Sequence, residues 1–159
     1  MTFLPLLALL TASVHADPPA DQAQAGEPSP HVDKAFLLVA ASKSWDEARS
    51  TASQAAQALG LELKVKVQPH DTQGLTFSEA DCTEGGMDHP CYVPRGRWDD
   101  GEYVSVEWSS GFEGFTPGLY VVMAWSGPES EAVSHLEAAR AVYSDAYVKK
   151  ASVYMGCMH

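Results

Sequence analysis

A two-layer α+β domain is predicted for this chain of 159 residues on three observations. Residues 119–150, LYVVMAWSGPESEAVSHLEAARAVYSDAYVKK, read as strand, capped helix and strand in one unbroken run. Residues 34–67 repeat that plan, and between the two units the periodicity is lost over a long insert at 68–118. Two such units imply a small domain with internal pseudo-symmetry.

Each element has a local cause. AFLLVAA at 35–41 is a short continuous apolar run, as expected of a central strand buried on both faces. Ser44 and Glu47 have the spacing of a capping box, so a helix starts there. Ala48, Ala52, Ala55, Ala56 and Leu59 recur at helical spacing, and Gly60 supplies the left-handed position that ends many helices. LELKVKV at 61–67 alternates strictly, which predicts a half-exposed strand with Leu61, Leu63, Val65 and Val67 inward. Within the insert, 95–109 is read as a hairpin turning at Asp99, Asp100 and Gly101, with Tyr103, Ser105 and Glu107 on one face and Val104, Val106 and Trp108 on the other. A strand at 119–124 follows. Ser126 and Glu129 repeat the capping-box spacing, and Ala132, Val133, Leu136, Ala139 and Tyr143 form the apolar stripe of a second helix. A last strand runs from 146 to about 154. The resulting order is β-α-β, long insert with hairpin, β-α-β. This is the split β-α-β sandwich of ferredoxin-like folds, an antiparallel sheet with two helices on one face and the other face free for a ligand.

The flanking segments bear on compartment. MTFLPLLALLTASVHA at 1–16 is an uncharged, mostly apolar run closing on small residues, which reads as a signal peptide and is too short for a spanning helix of about 20 residues. Residues 17–30, rich in Pro, Ala and polar residues, read as a disordered leader, leaving 31–159 as a single domain. The expected product is an exported chain, periplasmic or extracellular, without a transmembrane anchor after cleavage. A net charge of -11 with no local basic patch argues against nucleic acid as partner. Of the three cysteines, Cys82 and Cys91 are the local choice for a disulfide, closing a loop of eight intervening residues, while pairings with Cys157 stay open.

The two halves, FLLVAASKSWDEARSTASQAAQALGLELKV and YVVMAWSGPESEAVSHLEAARAVYSDAYVK, resemble the halves of a SPOR (sporulation-related repeat) domain. The Leu59-Gly60 helix end and the helix-start positions of Ala48 and Ala132 carry the likeness, which spans about half the chain. The resemblance implies binding of peptidoglycan glycan strands on the sheet face. The Gln-x-Gly of that family's first strand would fall on Val39-Ala40-Ala41, and its linker is far shorter than this insert, so no ligand residue is carried over.

Candidate ligand-binding residues come from the aromatic concentration beyond the insert's middle: Trp98, Tyr103, Trp108, Phe112 and Trp125, with Arg97 beside the first. Rings backed by polar groups match the apolar faces and polar edges of sugars, and Trp98, next to a polar turn, is the ring expected to be exposed. Neither His70, Asp71, Asp81, Asp88 and His89 nor the terminal Cys157-Met158-His159 has the spacing of a zinc site, and no calcium loop is present. No cofactor motif or catalytic signature is found. Glu79, Asp81, Glu102 and Glu107 remain as carboxylates from which a hydrolytic pair would have to be drawn, and His135 is a lone histidine. The expected function is a non-enzymatic envelope binding module acting on peptidoglycan glycan or an envelope protein. The alternatives are a protein-binding or inhibitory domain acting through the stapled insert, and a small carboxylate-dependent envelope hydrolase.

Overall fold

The computed structural model describes residues 30–156. The expected signal segment, nearly all of the leader and the pairing of Cys157 lie outside the described residues. Four strands form one antiparallel sheet: β1 (His31–Ser42), β4 (Gly101–Trp108), β5 (Tyr120–Gly127) and β6 (Tyr147–Tyr154), in the order β4-β5-β1-β6. Two helices, α1 (Trp45–Leu59) and α3 (Ala132–Arg140), pack into one core on one face of this sheet. The insert supplies a short hairpin, β2 (Gln68–His70) and β3 (Gly74–Thr76), and a short helix, α2 (Glu79–Glu84).

The predicted start and end of α1 are both present. The Ser44 hydroxyl accepts from Glu47 N–H at 3.3 Å, and Gly60, at φ +67°, returns its N–H to the last turn. The second half of the capping box runs through a relay: the Ser42 hydroxyl donates to the Glu47 carboxylate and accepts from Ser44 N–H at 2.9 Å. Ala48, Ala52 and Ala55 then bring the α1 backbone close over Leu37, Val39, Val104 and Val122.

Three expectations are corrected. Residues 61–67 do not enter the sheet as a paired strand; they run parallel to the outer edge of β4 and touch it at a single bridge, Leu63 to Val104. Only two backbone bonds hold them there, Lys64 N–H to Val104 C=O at 2.8 Å and Val104 N–H to Glu62 C=O at 2.7 Å. Their place beside β5 is taken by β4, which is hydrogen-bonded to it along most of its length. Residues 95–98 form no hairpin arm against β4, because Gly96 sits at φ +93° against the Phe36 ring, where an added Cβ would lie 2.9 Å from the ring carbons. Ser126 is not a helix cap either. It is still within β5, its hydroxyl accepts from Arg95 Nε at 3.0 Å, and α3 begins only at Ala132 after a single 3-10 turn.

The far face of the sheet is occupied. Phe36, Leu38, Val121, Met123, Ala151 and Val153 point into a second core closed by Phe112 and Phe115. Phe36 meets Phe112 edge-on at 5.0 Å and Phe115 at 6.2 Å between ring centroids. A sheet carrying such side chains on both faces has to be covered on both, and the insert with its 109–119 extension does so.

Candidate functional site

The covering layer is organised by one buried arginine. Arg95 is 1% exposed. Its guanidinium donates to the carbonyls of Gly101 at 2.6 Å, Tyr103 at 2.8 Å and Met123 at 3.3 Å, and to the Ser105 hydroxyl at 3.2 Å. These acceptors are gathered where the β4–β5 register shifts between Glu102 and Ser105, an irregularity that takes backbone groups out of the ladder. The same guanidinium lies 3.6 Å from the Tyr103 ring centroid. Burial pulls Arg95 below the ordinary arginine range, opposed by Tyr103, Glu107, Asp99 and Asp100.

Beside it, Glu107 accepts from the Tyr92 hydroxyl at 2.6 Å and from Arg95 N–H at 3.3 Å. Burial raises the Glu107 carboxyl above its usual range, with the Tyr92 and Ser105 hydroxyls and the Arg95 charge acting in the opposite sense. It also raises Tyr92, further lifted by Glu107. From the ordinary carboxyl value of 4.5 up to the raised one, the folded chain holds a proton that the unfolded chain has lost. Glu107 therefore stabilises the fold fully below that window, and the contribution is lost as pH rises through it. Glu107→Gln, which mimics the protonated acid, should flatten the fall. Urea midpoints measured across pH should show a slope shallower by up to about 1.4 kcal/mol per pH unit; parallel curves for the two proteins would refute the assignment.

The loop that starts at Arg95 is fastened at nearly every residue. Gly96 N–H donates to Asp99 Oδ1 at 3.2 Å, Tyr103 Oη–H to Asp99 Oδ2 at 2.5 Å, and Lys34 Nζ to Asp100 at 2.6 Å. Arg97 is buried and donates to the carbonyls of Tyr154, at 2.8 Å, and Gly156, tying the loop to the end of β6. Trp98 is left outside, 69% exposed, with the Arg97 guanidinium 5.0 Å from its ring. A groove of about 430 Å³ on one side of it is lined by Gly85, Gly86, Met87 and Met155. Another of about 320 Å³ on the other side is lined by Lys66, Phe77, Asp81, Met87 and Asp99. Met87 borders both. It is held there by α2, capped by the Ser78 hydroxyl on Asp81 N–H at 3.1 Å, and by the Cys82–Cys91 disulfide.

The structure separates the sequence candidates. Trp98 is on the surface and Arg97 beneath it. Tyr103 is buried against Arg95, and Phe112 belongs to the far-face core. Trp125 lies in the helix-face core with its ring stacked on His135 at 4.6 Å. Trp108 packs on Tyr120 at 4.9 Å and against Gly74, fixing the β2–β3 hairpin. The six residues therefore do not form one platform. Glu102 points to the helix side, where it meets His135 Nδ1 at 2.9 Å, whereas Glu107 lies on the insert side, so these two carboxylates do not face each other. Met87 and Met155 were missed. The signal for Met87 was available in Gly-Gly-Met, a lone apolar residue in a polar, stapled loop. Among the described residues no cluster of His, Cys, Asp or Glu has the makings of a metal site, and no helix is long and apolar enough to cross a membrane. No family model, curated protein or solved structure matches the chain.

Proposed function

We propose that the chain is an exported binding module that captures a protein partner through the Trp98 surface. The observation that carries this reading is a tryptophan 69% exposed on a loop whose other residues are fastened to the core. An anchor held in this way loses little conformational freedom on binding. Trp flanked by Arg and thioethers is the composition of interface hot spots, and Met87 and Met155 adapt their shape to a partner's side chains. Export is supported by the apolar opening run and by the disulfide. The fold is read as a ferredoxin-like split β-α-β arrangement in which β4 takes the second-strand position that residues 61–67 were expected to fill. The reading assigns no catalytic step to the chain.

A glycan ligand is the second reading, favoured by Lys66, Asp81 and Asp99 along one side of the Trp98 ring, where they would meet sugar hydroxyls. It does not use the sheet face that a SPOR-like domain would use, since that face is covered. Partner capture from an envelope extract and co-sedimentation with peptidoglycan sacculi, intact or stripped of stem peptides, separate the two. Trp98→Ala should weaken whichever binding is found by about thirtyfold, the size of a hot-spot truncation. Its melting temperature should stay within the small range of exposed substitutions. Undiminished binding by Trp98→Ala would overturn the surface assignment, and sedimentation with stripped sacculi without a captured protein would replace the protein by the glycan.

A further inference from the structure

Residues 61–67 are strand-like in pattern yet pair with only one neighbour. In an extended segment the backbone groups of successive residues face opposite sides. The bonds made by Glu62 C=O and Lys64 N–H toward β4 therefore turn the N–H and C=O of Leu63 and Val65 the other way. Among the described residues these four groups have no backbone partner. Leu63 is 41% exposed. A groove of about 680 Å³ runs along this flank between Leu63, Val65 and Val67 and the Trp45, Arg49 and Ser53 side of α1. The segment is thus an open sheet edge with a trough beside it, apolar on the Leu63, Val65 and Val67 side and mostly polar on the α1 side, and an open edge is the kind of feature that recruits another strand.

We propose that this edge pairs with the same edge of a second copy of the chain, as an antiparallel two-fold dimer centred on Leu63. Charge complementarity selects this occupant. Antiparallel self-pairing about Leu63 sets Leu63 against its own copy, Leu61 against Val65, and Glu62 against Lys64, twice over by symmetry. Leu63 with its copy and Leu61 with Val65 are then hydrogen-bonded pairs. Glu62 with Lys64 is a non-hydrogen-bonded pair, the type that brings side chains closest. The next register, centred on Lys64, keeps the backbone pattern and sets Glu62 against Lys66, but it places two lysines face to face, so only the Leu63 centre has opposite charges without a like-charge pair. Leu61 N–H is already given to Ala56 C=O at 2.9 Å. The dimer ladder therefore consists of the two bonds between the Leu63 residues and one from each Val65 N–H to Leu61 C=O. Glu62 and Lys64, 3.5 Å apart within one chain, would join their copies in a ring of alternating charge. Isologous closure consumes both edges at once, so the assembly stops at two.

The edge shares only Lys66 with the groove beside Trp98, and its pairing is carried by residues 61–65, so loss of the dimer and loss of partner capture are read by different variants and different measurements. The test is the mass of residues 31–159 in solution, by sedimentation equilibrium from micromolar to hundreds of micromolar. A monomer–dimer equilibrium is expected. Lys64→Glu should weaken it by about tenfold, by turning two attractive cross-strand pairs into repulsive ones. The exchange Glu62→Lys with Lys64→Glu should restore it, because the swapped pattern is again self-complementary. Val65→Pro, which removes two ladder donors at a position whose N–H faces outward, should weaken it as well. A wild type that stays monomeric at hundreds of micromolar overturns the proposal. So does a dimer indifferent to Lys64→Glu and Val65→Pro, or one that the charge exchange fails to restore.

Discussion

Arg95→Met should lower stability by about 3–5 kcal/mol, the range found when one partner of a buried charged network is removed. Methionine fills a similar length of apolar space but donates nothing. The carbonyls of Gly101, Tyr103 and Met123 and the hydroxyls of Ser105 and Ser126 would then lie buried without their donor. Each stranded buried acceptor costs about 1–3 kcal/mol before relaxation or entering water reduces it. The Glu107 carboxyl would also lose its nearest buried cation. Urea denaturation checks this directly: the midpoint should fall sharply, and the slope against urea should change little if the change acts on the native state. A midpoint within the range of surface substitutions would mean that the guanidinium is replaceable by water, and the role given to Arg95 in closing the β4–β5 irregularity would be wrong.

Reducing the Cys82–Cys91 disulfide should cost about 2.5–3 kcal/mol on the loop-closure argument for a ring of this size. The loss should be local first. The bond joins α2 to the strip that follows it, and Phe77 N–H to Cys91 C=O at 2.9 Å and Cys91 N–H to the Thr76 hydroxyl at 3.1 Å are the bonds it protects. Hydrogen exchange at these amides should therefore accelerate on reduction before exchange rises in β1 and β5. Met87 is carried on the same ring, so partner capture should weaken alongside. Equal acceleration everywhere would show that the ring is part of the global folding unit, not a separately opening one.

Ser44, Glu47 and Gly60 announced α1 because caps act within a few residues of where they are written. The Cys82–Cys91 pairing was also a short-range matter. Leu61 to Val67 misled because alternation specifies a face and not a partner. The partner was decided by β4, whose residues lie about forty positions away in sequence. Ser126 has the spacing of a cap, but a buried arginine's need for acceptors kept it in β5. Nothing in RGRWDDG states that Arg95 and Arg97 are buried and Trp98 exposed. That division depends on Gly96 lying against Phe36 and on the end of β6 passing within reach of Arg97. Tyr103, Phe112 and Trp125 were drawn into a candidate platform because aromatic composition cannot separate a ring that binds from a ring that packs.

The second core beneath the insert means that this domain has no trimmed version. In many small folds a long insertion can be cut back to a tight turn and the scaffold persists. Here an excision that took out Phe112 and Phe115 would strip the cover from Phe36, Leu38, Val121 and Met123, and the shortened chain would present an oily sheet face to its neighbours. Length variation in the insert is therefore limited to places that touch neither core, such as the tip of the β2–β3 hairpin at Asp71 and Thr72, where the chain is exposed.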